Sequence, residues 1–252
     1  MRVFAVSDIH LDYEQNRRWL HELSRQEFCE DVLILAGDIT DTMPLLEEGL
    51  TAVACRFFEV IYVPGNHELW VHRNGADNSL EQFEAIRRVA QDNGVLMEPR
   101  HYDSLSIVPL FGWYDYSFGQ PSPELRRGWL DFSACRWPNG FDPARVTRHF
   151  VAMNEPALNV RNRTVISFSH FLPRIDLMPA FIPPNKRKLY PVLGSSLLEQ
   201  QIRKLGSDIH IYGHSHVNLR SAKDGTIYLN NAFGYPHETR RTAKELVCVF
   251  KA

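Results

Sequence analysis

Cysteine is scarce and scattered in this sequence. Cys29, Cys55, Cys135 and Cys248 are its four, and no two stand at Cys-x-x-Cys spacing. That excludes a zinc ribbon and a thioredoxin-type redox motif. A chain with this much apolar content needs no disulfide staples, so the four are expected as buried, reduced thiols. Long apolar runs are missing as well: no uncharged stretch approaches the roughly 18–20 residues of a membrane span. The opening run Met1-Arg2-Val3-Phe4-Ala5-Val6-Ser7 meets Asp8 too early for a signal peptide. A cytoplasmic protein without membrane association is the expectation. Charge of one sign is not in excess either. Lys and Arg number 28 against 30 Asp and Glu, a net of -2, which argues against nucleic-acid binding through bulk positive charge.

What remains is an ordinary globular composition, 44% hydrophobic and 12% aromatic over 252 residues. That length suits a single α/β domain, able to bury about 70–75% of the surface its unfolded chain exposes. Short Val- and Ile-rich runs predict strands at 2–7, 31–36, 59–63, 104–111, 164–169, 208–212, 226–231 and 246–250. Helical patterns lie between several of them. Ser79 with Gln82 has capping-box spacing, ahead of an apolar face at Phe83, Ile86, Val89 and Ala90 and a stop at Gly94. Asp142-Pro143 opens a second helix that ends near Glu155-Pro156. A third spans about 195–205 and closes at Gly206. From about 113 to 160 the texture changes: Trp113, Tyr114, Tyr116, Phe118, Trp129, Phe132, Trp137 and Phe141 crowd a stretch with few strand signals. It reads as a cap-like, aromatic-rich insertion on one domain covering 1–252.

Polar residues of one kind stand where the apolar runs stop: Asp8-Ile9-His10, Gly37-Asp38, Gly65-Asn66-His67-Glu68, Ser169-His170 and Gly213-His214-Ser215-His216. Each piece alone has an ordinary reading as a cap, a turn or a structural histidine. Together and in order they deliver Asp, Asn and His to one sheet edge, the carboxyl ends of the strands, where open α/β sheets bind ligands.

This set resembles the calcineurin-like metallophosphoesterase superfamily. The resemblance implies an α/β fold, a two-sheet β-sandwich flanked by helices in four αββα layers. It also implies two divalent metal ions, manganese first, with iron, zinc, nickel or magnesium as alternatives. Carried over by motif, Asp8, His10 and His216 hold one metal, Asn66, His170 and His214 the other, and Asp38 bridges them. A hydroxide between the ions would act as nucleophile, and two divalent cations against two carboxylates leave a net positive shell suited to a phosphate. His67 is then the catalytic histidine, acid or hydrogen-bond donor to the leaving oxygen. Asp41 is a candidate to fix its tautomer, or else the N-cap before Met43-Pro44.

Departures from subfamily patterns narrow the expectation. Asp41 is followed by Thr42-Met43 and not by the Arg-Gly of the family's protein phosphatases, and His67 stands where lipid A-type pyrophosphohydrolases have Arg. A phosphodiesterase acting on a small phosphoester or a nucleotide is expected, with a phosphomonoesterase, a nuclease or a non-catalytic scaffold as alternatives. Trp113 and Tyr114 are the aromatics expected to face the site. Lys186, Arg187, Lys188, Arg174 and Arg100 are candidate phosphate contacts, and Asn230, Asn231 and Tyr235 either line the pocket or form turns.

Overall fold

Alternation along the short apolar runs decides which way each strand faces. The computed structural model describes residues 1–251. It places ten strands in two sheets: β1 (Arg2–Val6), β2 (Val32–Leu35), β3 (Glu59–Tyr62), β4 (Arg100–His101), β5 (Leu105–Pro109), β6 (Thr164–Phe168), β7 (Ile209–Tyr212), β8 (Leu219–Lys223), β9 (Thr226–Asn230) and β10 (Val247–Lys251). The first sheet has the order β10-β1-β2-β3 and the second β4-β5-β6-β7-β9-β8. β1, β2 and β3 run parallel, as do β5, β6, β7 and β9, while β10, β4 and β8 are antiparallel edges.

Val3, Ala5, Val32, Ile34 and Ile61 of the first sheet meet Ile107, Ile166, Phe168 and Ile211 of the second in one buried cluster, the inside of the sandwich. Their strand neighbours Phe4, Val6, Leu33, Leu35, Val60 and Tyr62 turn outward and pack under helices. These helices are α1 (Glu14–Glu22), α2 (Met43–Ala54) and α3 (Ser79–Asp92), which supply Leu20, Leu46, Leu50 and Ile86 to that layer. The segment 113–160 carries α4 (Pro123–Gly128), α5 (Asp131–Ala134) and α6 (Pro143–Asn154). Together with α7 (Ser196–Leu205), α6 covers the second sheet through Phe150, Leu198 and Ile202. The four layers are therefore helices, sheet, sheet, helices.

Each predicted strand is present. β4 and β8 were not legible, β8 because its polar Leu-Arg-Ser-Ala-Lys run is an exposed antiparallel edge without an apolar stretch. Asp142 caps α6 by accepting from the Arg145 N–H at 2.7 Å, and Gly206 ends α7 at φ +71°. At α3 the cap is Asn78 and not Ser79: Asn78 accepts from Leu80 and Glu81, while the buried Ser79 hydroxyl donates to the Leu69 carbonyl. The cysteines form no disulfide among the described residues, but Cys29 and Cys55 are exposed and not buried. They lie in the turn before β2 and at the end of α2, on the solvent side. Among the described residues no helix is long and apolar enough to cross a membrane.

Candidate metal centre

The strand-end turns are built from backbone that most residues avoid. Asp8, His10, Asp38, His214 and His216 all have φ between +49° and +65°, a left-handed conformation costing of order 1–3 kcal/mol for such residues and persisting only where the surroundings over-determine it. Here the turns bind one another. Asp8 N–H donates to the Gly37 carbonyl (2.8 Å), His10 N–H to the Asp38 carbonyl (3.1 Å) and Gly213 N–H to the His170 carbonyl (2.9 Å). His214 N–H reaches the Asp8 carboxylate at 3.0 Å, tying the second sheet's edge to the first. Two glycines make the close approach possible. A Cβ on Gly37, itself at φ +84°, would stand 2.6 Å from His170 Nδ1, and one on Gly65 would stand 2.0 Å from Asp38 Oδ1.

The turns bring the seven expected ligand residues together, all buried. Donor atoms of Asp8, His10 and His216 lie within 4.8 Å of one another, as do those of Asp38, His170 and His214. Asp38 also belongs to a third such group with His10 and His67. The outer hydrogen bonds say which atom of each ligand faces inward. His170 Nδ1 meets the Ala36 carbonyl (2.9 Å) and His214 Nε2 the Val192 carbonyl (3.0 Å). A carbonyl only accepts, so those nitrogens carry the protons. The Asn66 amide donates to Asp131 (2.8 Å), which turns its oxygen inward. His170 Nε2 then stands 3.1 Å from both His214 Nδ1 and Asn66 Oδ1, and 3.4 Å from Asp38 Oδ2. Four acceptor atoms converging in a buried space repel one another unless a cation lies between them. The donors fit divalent transition metals, and among the described residues no thiolate joins them.

Titration is consistent with that reading. Burial opposes charge on His170, but Asp38 outweighs it and lifts the ring to about 9. Burial likewise opposes charge on His216, and Asp8 and Glu238 lift it to about 10. Burial would raise Asp8, yet the His216 cation holds it near 2, and His170 holds Asp38 well below the usual range against the same opposition. Burial keeps His214 neutral, near 3, and His10 neutral as well. Before metal binds, then, protons on His170 and His216 balance the two carboxylates.

His67 sits at the edge of this cluster, its Nε2 3.8 Å from Asp38 Oδ2 and its ring 3.9 Å from that of Trp70. Asp41 is not where the sequence suggests. Its carboxylate is held by Arg73 at 3.0 Å, with no hydrogen bond to His67 among the described residues, and Thr42 is the residue at the helix cap. Trp113 and Tyr114 also differ from expectation. Both are 1% exposed and belong to the core, and Trp129 is the ring of that segment that lines the neighbouring cleft. Tyr235 lines the cleft and stacks on His10 at 4.5 Å, whereas Asn230 and Asn231 spend their amides on backbone carbonyls. Lys186 reaches the cleft, but Arg187 bonds the carbonyls of Ile182 and Ala180, Lys188 pairs with Glu124, Arg174 with Asp176 and Asp224, and Arg100 with Glu59.

Two acidic residues were missed as contributors. Glu238 accepts from His216 Nδ1 at 2.5 Å, which leaves Nε2 to face Asp8 at 3.2 Å. Glu68 accepts backbone N–H groups of Gly65, Asp38, Ile39 and Thr40, at 2.6, 3.0, 2.5 and 3.1 Å, and so binds the second and third turns together. Glu68 stood inside a quoted motif and was readable as part of it. Glu238 lies 22 residues beyond its partner in an irregular segment, and no spacing rule points to it.

Comparison with known proteins agrees with this geometry. The family model described as calcineurin-like phosphoesterase matches residues 1–218. The [acyl-carrier-protein] phosphodiesterase PptH of Mycobacterium tuberculosis is 25% identical over 271 residues, covering 95% of this chain and 79% of the relative. The crystal structure of phosphopantetheinyl hydrolase (PptH) from that organism superposes with a TM-score of 0.82 at 22% identity, over 100% of this chain and 96% of the other. The crystal structure of TT1561 of Thermus thermophilus follows at 0.59 or just below, with a TM-score of 0.55 and 12% identity, over 92% of this chain and 89% of the other.

Proposed function

The chain belongs to the calcineurin-like phosphoesterase family and is a metal-dependent phosphoester hydrolase, and from that premise we propose that it hydrolyses a phosphodiester bearing a long organic arm. Asp8, His10 and His216 would hold one divalent ion, Asn66, His170 and His214 a second, and Asp38 would be shared, with manganese the first choice of metal. When bound, the pair would supply a water activated at neutral pH and neutralise charge on the phosphate.

The observation that carries the diester reading is the cleft. About 320 Å³ in volume, it opens on Asp38, Asn66, His67, His214 and His216. Its walls are apolar: Trp129, Met178, Ile182, Leu189, Tyr190 and Leu193. Among the described residues lining it, only Lys186 and Arg241 are cationic, and Arg241 is paired with Glu238 at 3.3 Å. A monoester dianion asks for more positive charge close to the phosphate than a diester monoanion does. An apolar trough leading to the phosphate position suits an extended, uncharged arm. The relative that is named for hydrolysis of an acyl-carrier-protein phosphodiester supports the same choice. We therefore take the substrate to be a phosphopantetheinyl group carried on a protein, with the arm in the cleft. His67, on the cleft wall beside Asp38, places Nε2 to give a proton to the departing oxygen.

The test uses metal-stripped protein reloaded with Mn²⁺. It is offered bis(p-nitrophenyl) phosphate, p-nitrophenyl phosphate and a phosphopantetheinylated carrier protein followed by intact-mass spectrometry. Turnover of the diester above the monoester, and release of the arm from the carrier, are expected. A preference for the monoester would overturn the diester reading. An intact carrier beside rapid aryl-diester turnover would overturn the assignment of the arm.

A further inference from the structure

Asp131 opens α5 inside the aromatic-rich segment, and nothing in its sequence surroundings marks it. Its side chain is 2% exposed, with no cationic side chain bonded to it among the described residues. A carboxylate in such a place costs several kcal/mol unless hydrogen bonds satisfy it. Three N–H groups do so. Oδ1 accepts from Asn66 Nδ2 at 2.8 Å and from Trp70 Nε1 at 2.7 Å, and Oδ2 accepts from Trp129 Nε1 at 2.7 Å. The three donors come from three working parts of the molecule. Asn66 turns its oxygen toward His170, the Trp70 ring lies 3.9 Å from that of His67, and Trp129 is a wall of the cleft with its ring 5.9 Å from that of His214.

We propose that Asp131 is a positioning residue that sets the metal-ligand turn, the His67 ring and the substrate cleft in register with one another. An asparagine amide presents either its oxygen or its nitrogen to a cation. Only the NH₂ group can donate to a carboxylate, so Asp131 decides that Asn66 offers oxygen. The same oxygen fixes the Trp70 indole in its plane, and the indole sets the tilt of His67. The other oxygen holds Trp129, so the wall that receives the organic arm is fixed to the loop that holds the metal ligand. The inference rests on the metal-centre reading given above and extends it to a residue outside the donor set.

The substitution Asp131→Asn keeps the shape and removes one acceptor. Whichever way the new amide turns, its NH₂ faces either the Asn66 and Trp70 donors or the Trp129 donor. Outer partners of metal ligands contribute about 10–100-fold to affinity, so calorimetric titration of the metal-free variant with Mn²⁺ should show one of two cations bound at least tenfold more weakly. Two further variants separate the arms. Trp129→Phe keeps the ring and drops one N–H, and should raise KM several-fold for a long-armed diester with Mn²⁺ affinity unchanged. Trp70→Phe should lower kcat for poor leaving groups with KM unchanged. A folded Asp131→Asn protein with wild-type Mn²⁺ affinity would overturn the proposal. If Asp131→Asn does not fold, the two Trp variants decide it, and the proposal falls if neither moves its own readout. A wild-type protein that binds no Mn²⁺ would instead sink the metal-centre reading, so the two failures are distinct.

Discussion

Replacing Gly65 by alanine tests the convergence of the turns with the smallest change available. Gly65 needs no left-handed backbone; what it lacks is a side chain. An ideal Cβ there would lie 2.0 Å from Asp38 Oδ1, 2.7 Å from the Asp38 nitrogen and 2.8 Å from Asp38 Cγ. Ordinary contact begins near 3.4 Å, so the carboxylate oxygen must retreat by about 1.4 Å. Two of the neighbours are not free ends: the Asp38 nitrogen is held by Glu68, and the whole residue sits in left-handed backbone at φ +53°. Overpacking of this kind costs about 1–3 kcal/mol, which leaves a folded protein. The functional effect is larger. Metal ligands tolerate errors of about 0.2 Å, and a misplacement of about 1 Å in a reacting assembly can cost roughly a hundredfold in rate. We expect Gly65→Ala to fold, with a Tm lowered by several degrees, to carry fewer than two Mn²⁺ per chain by elemental analysis, and to lose at least a hundredfold in diester turnover. Gly128→Ala, at an exposed position with nothing within 4 Å of its Cβ, should match wild type within twofold. A Gly65→Ala protein with full metal content and wild-type kcat would refute the placement of Asp38 as a shared ligand.

Substituting His67→Asn should leave Mn²⁺ content unchanged and slow hydrolysis about 10²–10⁴-fold for poor leaving groups, and much less for p-nitrophenolate; equal losses for both would remove His67 from the acid role. With Glu238→Gln the charge that accepts from His216 Nδ1 is lost, so Mn²⁺ affinity should fall about 10–100-fold, read by calorimetric titration, while kcat at saturating metal changes little. His210 is fully buried between Ser167 and Ser169, and burial lowers it to about 3. The unfolded chain takes up that proton below about 6.5 and the folded one does not, so this residue's stability contribution is complete above 6.5 and is lost by roughly 1.4 kcal/mol per pH unit as the pH falls toward 3. In urea unfolding of metal-free protein, His210→Gln should therefore reduce the drop in stability between pH 7 and pH 5 by about 2 kcal/mol relative to wild type; an identical drop would refute it.

The strands were legible because burial on both faces forces apolar runs, and an apolar run needs no partner to be recognised. β2, with Val-Leu-Ile-Leu buried throughout, is the plainest case. The helices over the first sheet were less legible for a related reason. α1 is mostly polar and buries little beyond Asn16 and Leu20, so its inward stripe is too narrow to stand out in the sequence. β8 exposes alternate residues on an edge and carries no apolar signal. The aromatic segment misled in detail. Trp113 and Tyr114 were expected beside the site because they follow a strand, but large rings there first complete the packing of the outer layer, with Trp113 against Phe171 and Trp137. The ring that does reach the cleft, Trp129, is the one whose N–H has a buried partner holding it in place.

The inner donor set was readable and its supports were not, and the difference is physical. A ligand must be of a particular type, and it stands at the end of a strand because only there do turns from two sheets meet. Type and position together leave a mark in the sequence. The groups that orient the ligands need only present an acceptor at the right point in space, and any element that passes by can provide one. His170 and His214 use the backbone carbonyls of Ala36 and Val192, which carry no residue identity at all. His216 uses Glu238 and Asn66 uses Asp131, from segments whose spacing to the ligand no covalent rule fixes. Asp41, by contrast, was chosen for being an acid near a motif, and Arg73 claims it. Nearness along the chain is therefore a poor guide to which carboxylate orients a ligand. The backbone offers a better one: five of the seven ligand residues are held in left-handed conformation, which only tertiary contacts can sustain. Residues that bond those turns from outside, such as Glu68 and Asp131, are where disruption of the centre without loss of any ligand should be sought.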